Sequence, residues 1–143
     1  MNRFIKAALL LFLIFAGFYG PSAYAQPAPN MIATNLQAGA NLVTKHNLAH
    51  KELRTIYAAR DYDPIWNTES ERGRIGIATF LNSLKSYTLY HGLNQDRLPF
   101  ATIDKALKAP TRAKDFLKLE VLLTDLLIKL TQRMRGDDLN LAD

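Results

Sequence analysis

Apolar residues recur every three or four positions along most of this chain, which is the spacing of one face of an α-helix. The clearest case runs from residue 112 to residue 135, where neither Gly nor Pro interrupts the pattern. Its apolar stripe comprises Phe116, Leu119, Leu123, Leu126, Leu130 and Met134. We therefore predict that this segment is the longest element, about 36 Å long at 1.5 Å per residue.

Two earlier helices are predicted from the same spacing and from residues that begin or end helices. The first begins after Asn41 and ends at a corner before Pro64. The reason is that the α conformation is disfavoured for a residue that precedes a proline. Thr68 and Glu71 have the spacing of a capping box, which predicts that a second helix begins there. Gly92 stands where a left-handed residue would end that helix.

A third, short helix is predicted around Ile103, Ala106 and Leu107, and the Ala-Pro step at residues 109–110 ends it. No segment alternates strictly between apolar and polar residues, as a half-buried strand would. The predicted fold class is therefore all-α, a compact bundle of about four helices.

The middle of the longest helix is apolar on more than one side. Seven of the ten residues from 121 to 130 are apolar, which exceeds what a single stripe holds. Either this helix runs through the centre of the bundle, or its second face docks on another protein. The candidate docking residues are Val121, Leu122, Leu127 and Ile128. Asp125 lies within this stretch and needs a partner if it is buried, for which Arg60 is the candidate.

The beginning of the chain has the pattern of a secretory signal peptide. Arg3 and Lys6 precede an apolar stretch, and residues 23–25 form a small-x-small cleavage site. Residues 26–43 contain no charged residue, and we interpret them as a flexible linker. The predicted organisation is a signal peptide at 1–25, a linker at 26–43 and a helical domain at 44–143, exported to the periplasm without a stable membrane anchor after cleavage.

Composition narrows the functional classes. The sequence has no cysteine, which excludes disulfides, cysteine nucleophiles and thiolate metal sites. Its formal charge is +5, and it falls to +3 without Arg3 and Lys6, so no nucleic-acid partner is expected. A basic cluster near the Ala-Pro step is either a solvated face or a weak contact with anionic peptidoglycan. Its members are Lys105, Lys108, Arg112, Lys114 and Lys118.

His46 and His50 are four residues apart within the first predicted helix, which is the spacing of a metal-binding pair. Asn47 stands where the metalloprotease pattern has Glu, and no third ligand is evident. We therefore predict two solvent-exposed histidines, with no catalytic residue, no metal and no cofactor. A metal-binding periplasmic helical protein is kept as an alternative.

Three segments together resemble the helical scaffold domain of large periplasmic L,D-transpeptidases. The opening segment of that domain runs leucine-arginine, tyrosine-alanine, arginine, aromatic, proline, tryptophan. The corresponding residues here are Leu53, Tyr57, Arg60, Tyr62, Pro64 and Trp66. The later segments follow in the same order, namely Gly92 with Leu93, then Leu123, Thr124 and Asp125, then Arg133 and Gly136. Trp66 is expected to be a core residue.

In those enzymes the scaffold leads into a catalytic domain, which links peptidoglycan stem peptides through a cysteine acyl-enzyme. Because this chain has no cysteine, the resemblance implies a scaffold without its catalytic part. We expect a non-catalytic, exported interaction module of the cell-wall cross-linking machinery, whose partner is a catalytic L,D-transpeptidase domain or another cell-wall protein. A truncated remnant or split front part of such an enzyme, without activity of its own, is the alternative.

Overall fold

A computed structural model of the chain is helical throughout the part that it describes, which is residues 29–37, 41–108, 110 and 112–135. These residues contain six α-helices, a 3-10 helix at Gln95–Arg97 and no strand, which confirms the all-α fold class. The helices are α1 (Pro29–Asn35), α2 (Asn41–His46), α3 (His50–Ala58), α4 (Glu71–Tyr90), α5 (Phe100–Leu107) and α6 (Ala113–Arg135). The predicted signal peptide lies outside the described residues.

Helix α1 lies within the segment that was predicted to be a linker. Ile32 in this helix and Leu36 directly after it are both 0% exposed and belong to the hydrophobic core. They are four residues apart and share one helix face, which packs towards α2 and α3. The linker prediction is therefore wrong for residues 29–36, because Ile32 and Leu36 hold this part of the chain in the hydrophobic core.

Three helices end with the same backbone motif, in which a left-handed residue reverses the chain. These residues are Asn47, Asp61 and Gly92, with φ values of 47°, 52° and 67°. The next residue in each case donates its backbone N–H to the carbonyl five positions earlier, at 3.2, 2.8 and 2.9 Å. Those donors are Leu48, Tyr62 and Leu93. This is the Schellman arrangement, which turns an apolar side chain back towards the core.

The motif at Asn47 divides the first predicted helix into α2 and α3. A single helix through residues 42–60 is therefore not formed. The motif at Asp61 also ends α3 ahead of Pro64, so the proline is not the cause of the corner. Gly92, in contrast, ends α4 as predicted.

Ser70, and not Thr68, caps α4, because the Ser70 hydroxyl accepts the backbone N–H of Gly73 at 2.9 Å. Thr68 is fully buried in the preceding loop. A Cβ atom at Gly73 would lie 2.0 Å from the backbone carbonyl oxygen of Asn67. Glycine is therefore required there by the close approach of this loop, although it is a poor helix former.

Helix α6 runs through the centre of the bundle and packs against α3 and α5. All residues from 119 to 126 are buried, and two consecutive helical turns buried in this way are covered on every side. Trp66 is 7% exposed and lies with its ring centroid 5.8 Å from that of Phe80, which confirms that it is a core residue. Among the helices described, none has the length and apolarity needed to span a membrane.

Candidate functional site

The middle of α6 carries a carboxylate, Glu120, that is completely buried. The Tyr57 hydroxyl of α3 donates to its Oε1 atom at 2.9 Å, and the backbone N–H of Trp66 donates to Oε2 at 3.0 Å. The backbone N–H of Ile65 donates to the same carboxylate. Glu120 thus accepts the backbone donors of the corner that follows α3.

Thr124, one turn further along α6, completes this polar cluster. The indole Nε1–H of Trp66 donates to its hydroxyl at 3.0 Å, and the Tyr57 hydroxyl lies 2.9 Å from the same oxygen. The Thr124 hydroxyl also donates to the Glu120 carbonyl oxygen at 3.2 Å. Tyr57 and Trp66 are therefore fixed to α6 by their polar ends as well as by packing.

Burial sets the electrostatics of this cluster. It raises the pKa of Glu120 from 4.5 to about 7, while the backbone N–H groups of Ile65 and Trp66 act to lower it. Burial and the neighbouring Glu120 raise the pKa of Tyr57 well above its ordinary value. A carboxylate with no exposed surface does not reach a substrate, so we assign the cluster a structural role.

Asp125 is also fully buried, but its partners differ from the one predicted. Its Oδ1 atom accepts the backbone N–H of Ala49 at 2.7 Å, and Lys129 Nζ lies 2.8 Å from Oδ2. Arg60 is exposed and forms no ion pair with it. Asp125 therefore caps the start of α3 and joins it to α6, and the proposed pairing with Arg60 is wrong.

The prediction of two solvent-exposed histidines on one helix is wrong, because the two lie in different helices and both are half-buried. His46 is the last residue of α2 and His50 the first residue of α3, with the left-handed Asn47 between them. The His50 ring Nε2 lies 2.6 Å from the Leu36 carbonyl oxygen, so His50 joins α3 to the end of α1. Both rings are half-buried, and the described residues contain no group of three or more side chains suited to a metal ion.

The predicted docking residues on α6 face the interior. Val121 and Leu122 are 0% and 1% exposed, Ile128 is 9% exposed and Leu127 is half-buried. The docking interpretation is therefore wrong for these side chains, because the bundle itself covers them. Large exposed apolar side chains lie elsewhere, at Ile75, Leu89, Tyr90 and Met134.

Three of these exposed side chains lie in the last turns of α4 and α6, and we call them the terminal patch: Leu89, Tyr90 and Met134. Leu89 is 74% and Tyr90 86% exposed. Tyr87 bridges the two helices, because its hydroxyl lies 3.8 Å from Met134 Sδ. The His91 ring packs beside the patch, with its centroid 4.2 Å from Tyr87 and 5.1 Å from Tyr90.

The residues that carry the resemblance are distributed between the core and the helix ends. Those that are buried are Leu53, Tyr57, Trp66, Leu123, Thr124 and Asp125. Tyr62, Pro64, Leu93 and Arg133 are half-buried, whereas Arg60 and Gly92 are exposed. Arg133 donates to the carbonyl oxygens of Asn94 and Arg97 at 3.2 and 3.0 Å, which ties the end of α6 to the loop after α4. Gly136 lies outside the described residues.

Glu120 is the residue that sequence reasoning missed. The sequence drew attention to Asp125 as a charge within an apolar stretch, but Glu120 stands at the edge of that stretch, between Leu119 and Val121. A carboxylate flanked by apolar residues on a crowded helix was the available signal. Its partners at Ile65 and Trp66 are backbone groups, which no side-chain pattern marks.

The model of one protein family, described as a scaffold domain, matches residues 51–143, nearly two thirds of the chain. The chain belongs to this scaffold domain family, which confirms the predicted scaffold domain. No curated protein matches the chain, and no solved structure does. The link to L,D-transpeptidases stays a prediction.

Proposed function

We propose that this chain is a non-catalytic, exported scaffold module of the peptidoglycan cross-linking machinery. The observation that carries the proposal is its membership of the scaffold domain family over residues 51–143. The three segments that resemble the scaffold of L,D-transpeptidases all lie in this region. The sequence supplies no cysteine for the acyl-enzyme that those transpeptidases use, which supports a non-catalytic role.

The partner in this proposal is a catalytic L,D-transpeptidase domain or another cell-wall protein. The terminal patch is the contact surface, because its apolar side chains are exposed whereas those in the middle of α6 are covered. The resemblance adds a second reason. In the transpeptidases the catalytic domain follows the scaffold's last helix, and the terminal patch lies beside the end of that helix.

The test is capture of a catalytic L,D-transpeptidase domain by the immobilised chain, with gel filtration of the mixture. We expect the wild-type chain to form a complex, and the double substitution of Leu89→Ala with Tyr90→Ala to weaken it at least tenfold. Ile75→Ala is the matched control, because Ile75 is 62% exposed on the same helix α4. The absence of a complex with every cell-wall protein tried contradicts the partner proposal.

The alternative of a split enzyme is tested by the neighbouring reading frames. An adjacent frame that encodes a cysteine-containing catalytic domain favours the front part of a split transpeptidase. An unrelated neighbour favours a module that acts by itself.

A further inference from the structure

An open cleft of about 410 Å³ lies along the outer face of α3. We call it the α3 cleft, and its lining residues are His50, Lys51, Arg54, Thr55, Ala58 and Tyr62. The cleft is shallow and open to solvent, so a molecule bound in it would keep one side exposed. None of the six lining residues is acidic.

Two cations line this cleft. Lys51 and Arg54 are exposed and three residues apart, so their side chains leave the same face of α3. Neither forms an ion pair within the described residues, whereas Lys85, Arg112 and Lys129 each pair with a carboxylate. An Arg fork beside a Lys ammonium is suited to carboxylate groups held in fixed positions.

Tyr62 forms one wall of the cleft from a backbone conformation that tyrosine rarely adopts. Tyr62 directly follows the left-handed Asp61, and its own φ is 63°. The left-handed region is strongly disfavoured for a bulky residue. Such strained residues cluster at ligand-binding sites, where the surrounding structure holds them in place. Tyr62 is held by its N–H bond to the Tyr57 carbonyl oxygen at 2.8 Å and by packing on the core.

We propose that the α3 cleft binds a short peptide that bears free carboxylates. Lys51 and Arg54 bind the carboxylates, while Tyr62 and Ala58 contact the apolar part of the peptide. The stem peptides of peptidoglycan are the source of this chemistry if the proposed function holds, and in that respect the inference rests on it. The site itself is defined by the cleft, its two cations and the strained tyrosine.

Isothermal titration of the purified chain with a glutamyl-alanine dipeptide tests the site. The amidated dipeptide and inorganic phosphate serve as comparison probes. We expect saturable binding of the dipeptide, and at least tenfold weaker binding of the other two. Binding should also shift the NMR signals of the Tyr62 ring and weaken as the salt concentration rises.

Lys51→Ala with Arg54→Ala should weaken dipeptide binding at least tenfold. The matched control is the double substitution of Lys105→Ala with Lys108→Ala. It removes the same charge from two exposed residues that are distant from the cleft residues along the chain. Equal losses of dipeptide affinity in both double variants would show attraction to net charge and overturn the site. Equal binding of the dipeptide and phosphate, or no saturable binding of the dipeptide, would also overturn it.

Soluble peptidoglycan fragments separate this inference from the proposed function. Binding of both the dipeptide and the fragments supports both proposals. If the chain binds the dipeptide but not the fragments, the result supports the site and counts against peptidoglycan as its ligand.

Discussion

Glu120 shows how one buried side chain organises a corner of the fold. Its carboxylate accepts a tyrosine hydroxyl and two backbone N–H groups, so the donors of residues 65–66 are satisfied without water. The same burial that makes these hydrogen bonds necessary disfavours the charged form. The residue therefore stabilises the corner through hydrogen bonds and makes the stability of the protein depend on pH.

The free energy of unfolding should fall as pH rises from about 4.5 to about 7, because burial raises the pKa of folded Glu120 to about 7 from 4.5. In this window the folded state holds a proton that the unfolded state has released, so rising pH favours unfolding. Asp125, whose pKa burial also raises, acts in the same direction. Urea denaturation at several pH values measures the slope.

Glu120→Gln should reduce that slope whatever its effect on absolute stability, since the amide does not titrate. Glu71→Gln, at an exposed position in α4, is the matched control and should leave the slope unchanged. An unchanged slope in Glu120→Gln would mean that another group is responsible.

Gly73→Ala should destabilise the protein, although alanine is the better helix former by roughly 1 kcal/mol. The new Cβ would lie 2.0 Å from the Asn67 carbonyl oxygen, and overpacking of this kind typically costs about 1–3 kcal/mol. Urea denaturation measures the loss. A stabilised variant would show that the loop at Asn67 moves away from the new Cβ easily, and that helix propensity alone determines the change in stability.

At the scale of elements, the helix ends show how this chain changes direction. Asn47, Asp61 and Gly92 occupy equivalent left-handed positions, and each is followed by an apolar residue that turns inwards. Of these three residue types, only glycine clearly indicates a left-handed position in a sequence. Asn and Asp tolerate it, but they are equally common in turns and caps, so α2 and α3 were predicted as one helix.

The three ends should respond differently to substitution, because only Asp61 and Asn47 carry a Cβ in the left-handed region. Gly92→Ala should destabilise the protein by about 1 to 2 kcal/mol, even though no atom lies within 4 Å of the new Cβ. Asp61→Gly should be neutral or stabilise it by less than about 1 kcal/mol. Thermal unfolding of both variants checks this, and a stabilised Gly92→Ala would contradict the assigned backbone role.

At the scale of the whole molecule, the hydrophobic core extends beyond the scaffold domain match. The matched region begins at residue 51, whereas Ile32 in α1 and Leu36 directly after it precede the match and belong to the core. His50 and Asp125 reinforce this packing by bonding to Leu36 and Ala49. Residues 29–37 and 41–50 therefore belong to the folded body.

Ile32→Ala tests this extension of the core. Because Ile32 is 0% exposed, the substitution should lower the free energy of unfolding by about 2–5 kcal/mol. Thr34→Ala, at an exposed position in the same helix, is the control and should change it little. A negligible effect of Ile32→Ala would restore the interpretation of this segment as a linker.

The sequence by itself determined the helical class, the existence of the longest helix, the end of α4 at Gly92 and the burial of Trp66. These features follow from local periodicity and backbone preference, which depend only on residues that are close together along the chain. Only the tertiary structure decided that Asp125 binds Ala49 and Lys129 and not Arg60, that Glu120 binds the corner after α3, that α1 packs on the core and that the middle of α6 is covered. Those outcomes depend on backbone groups and surfaces distant along the chain, which local patterns do not record.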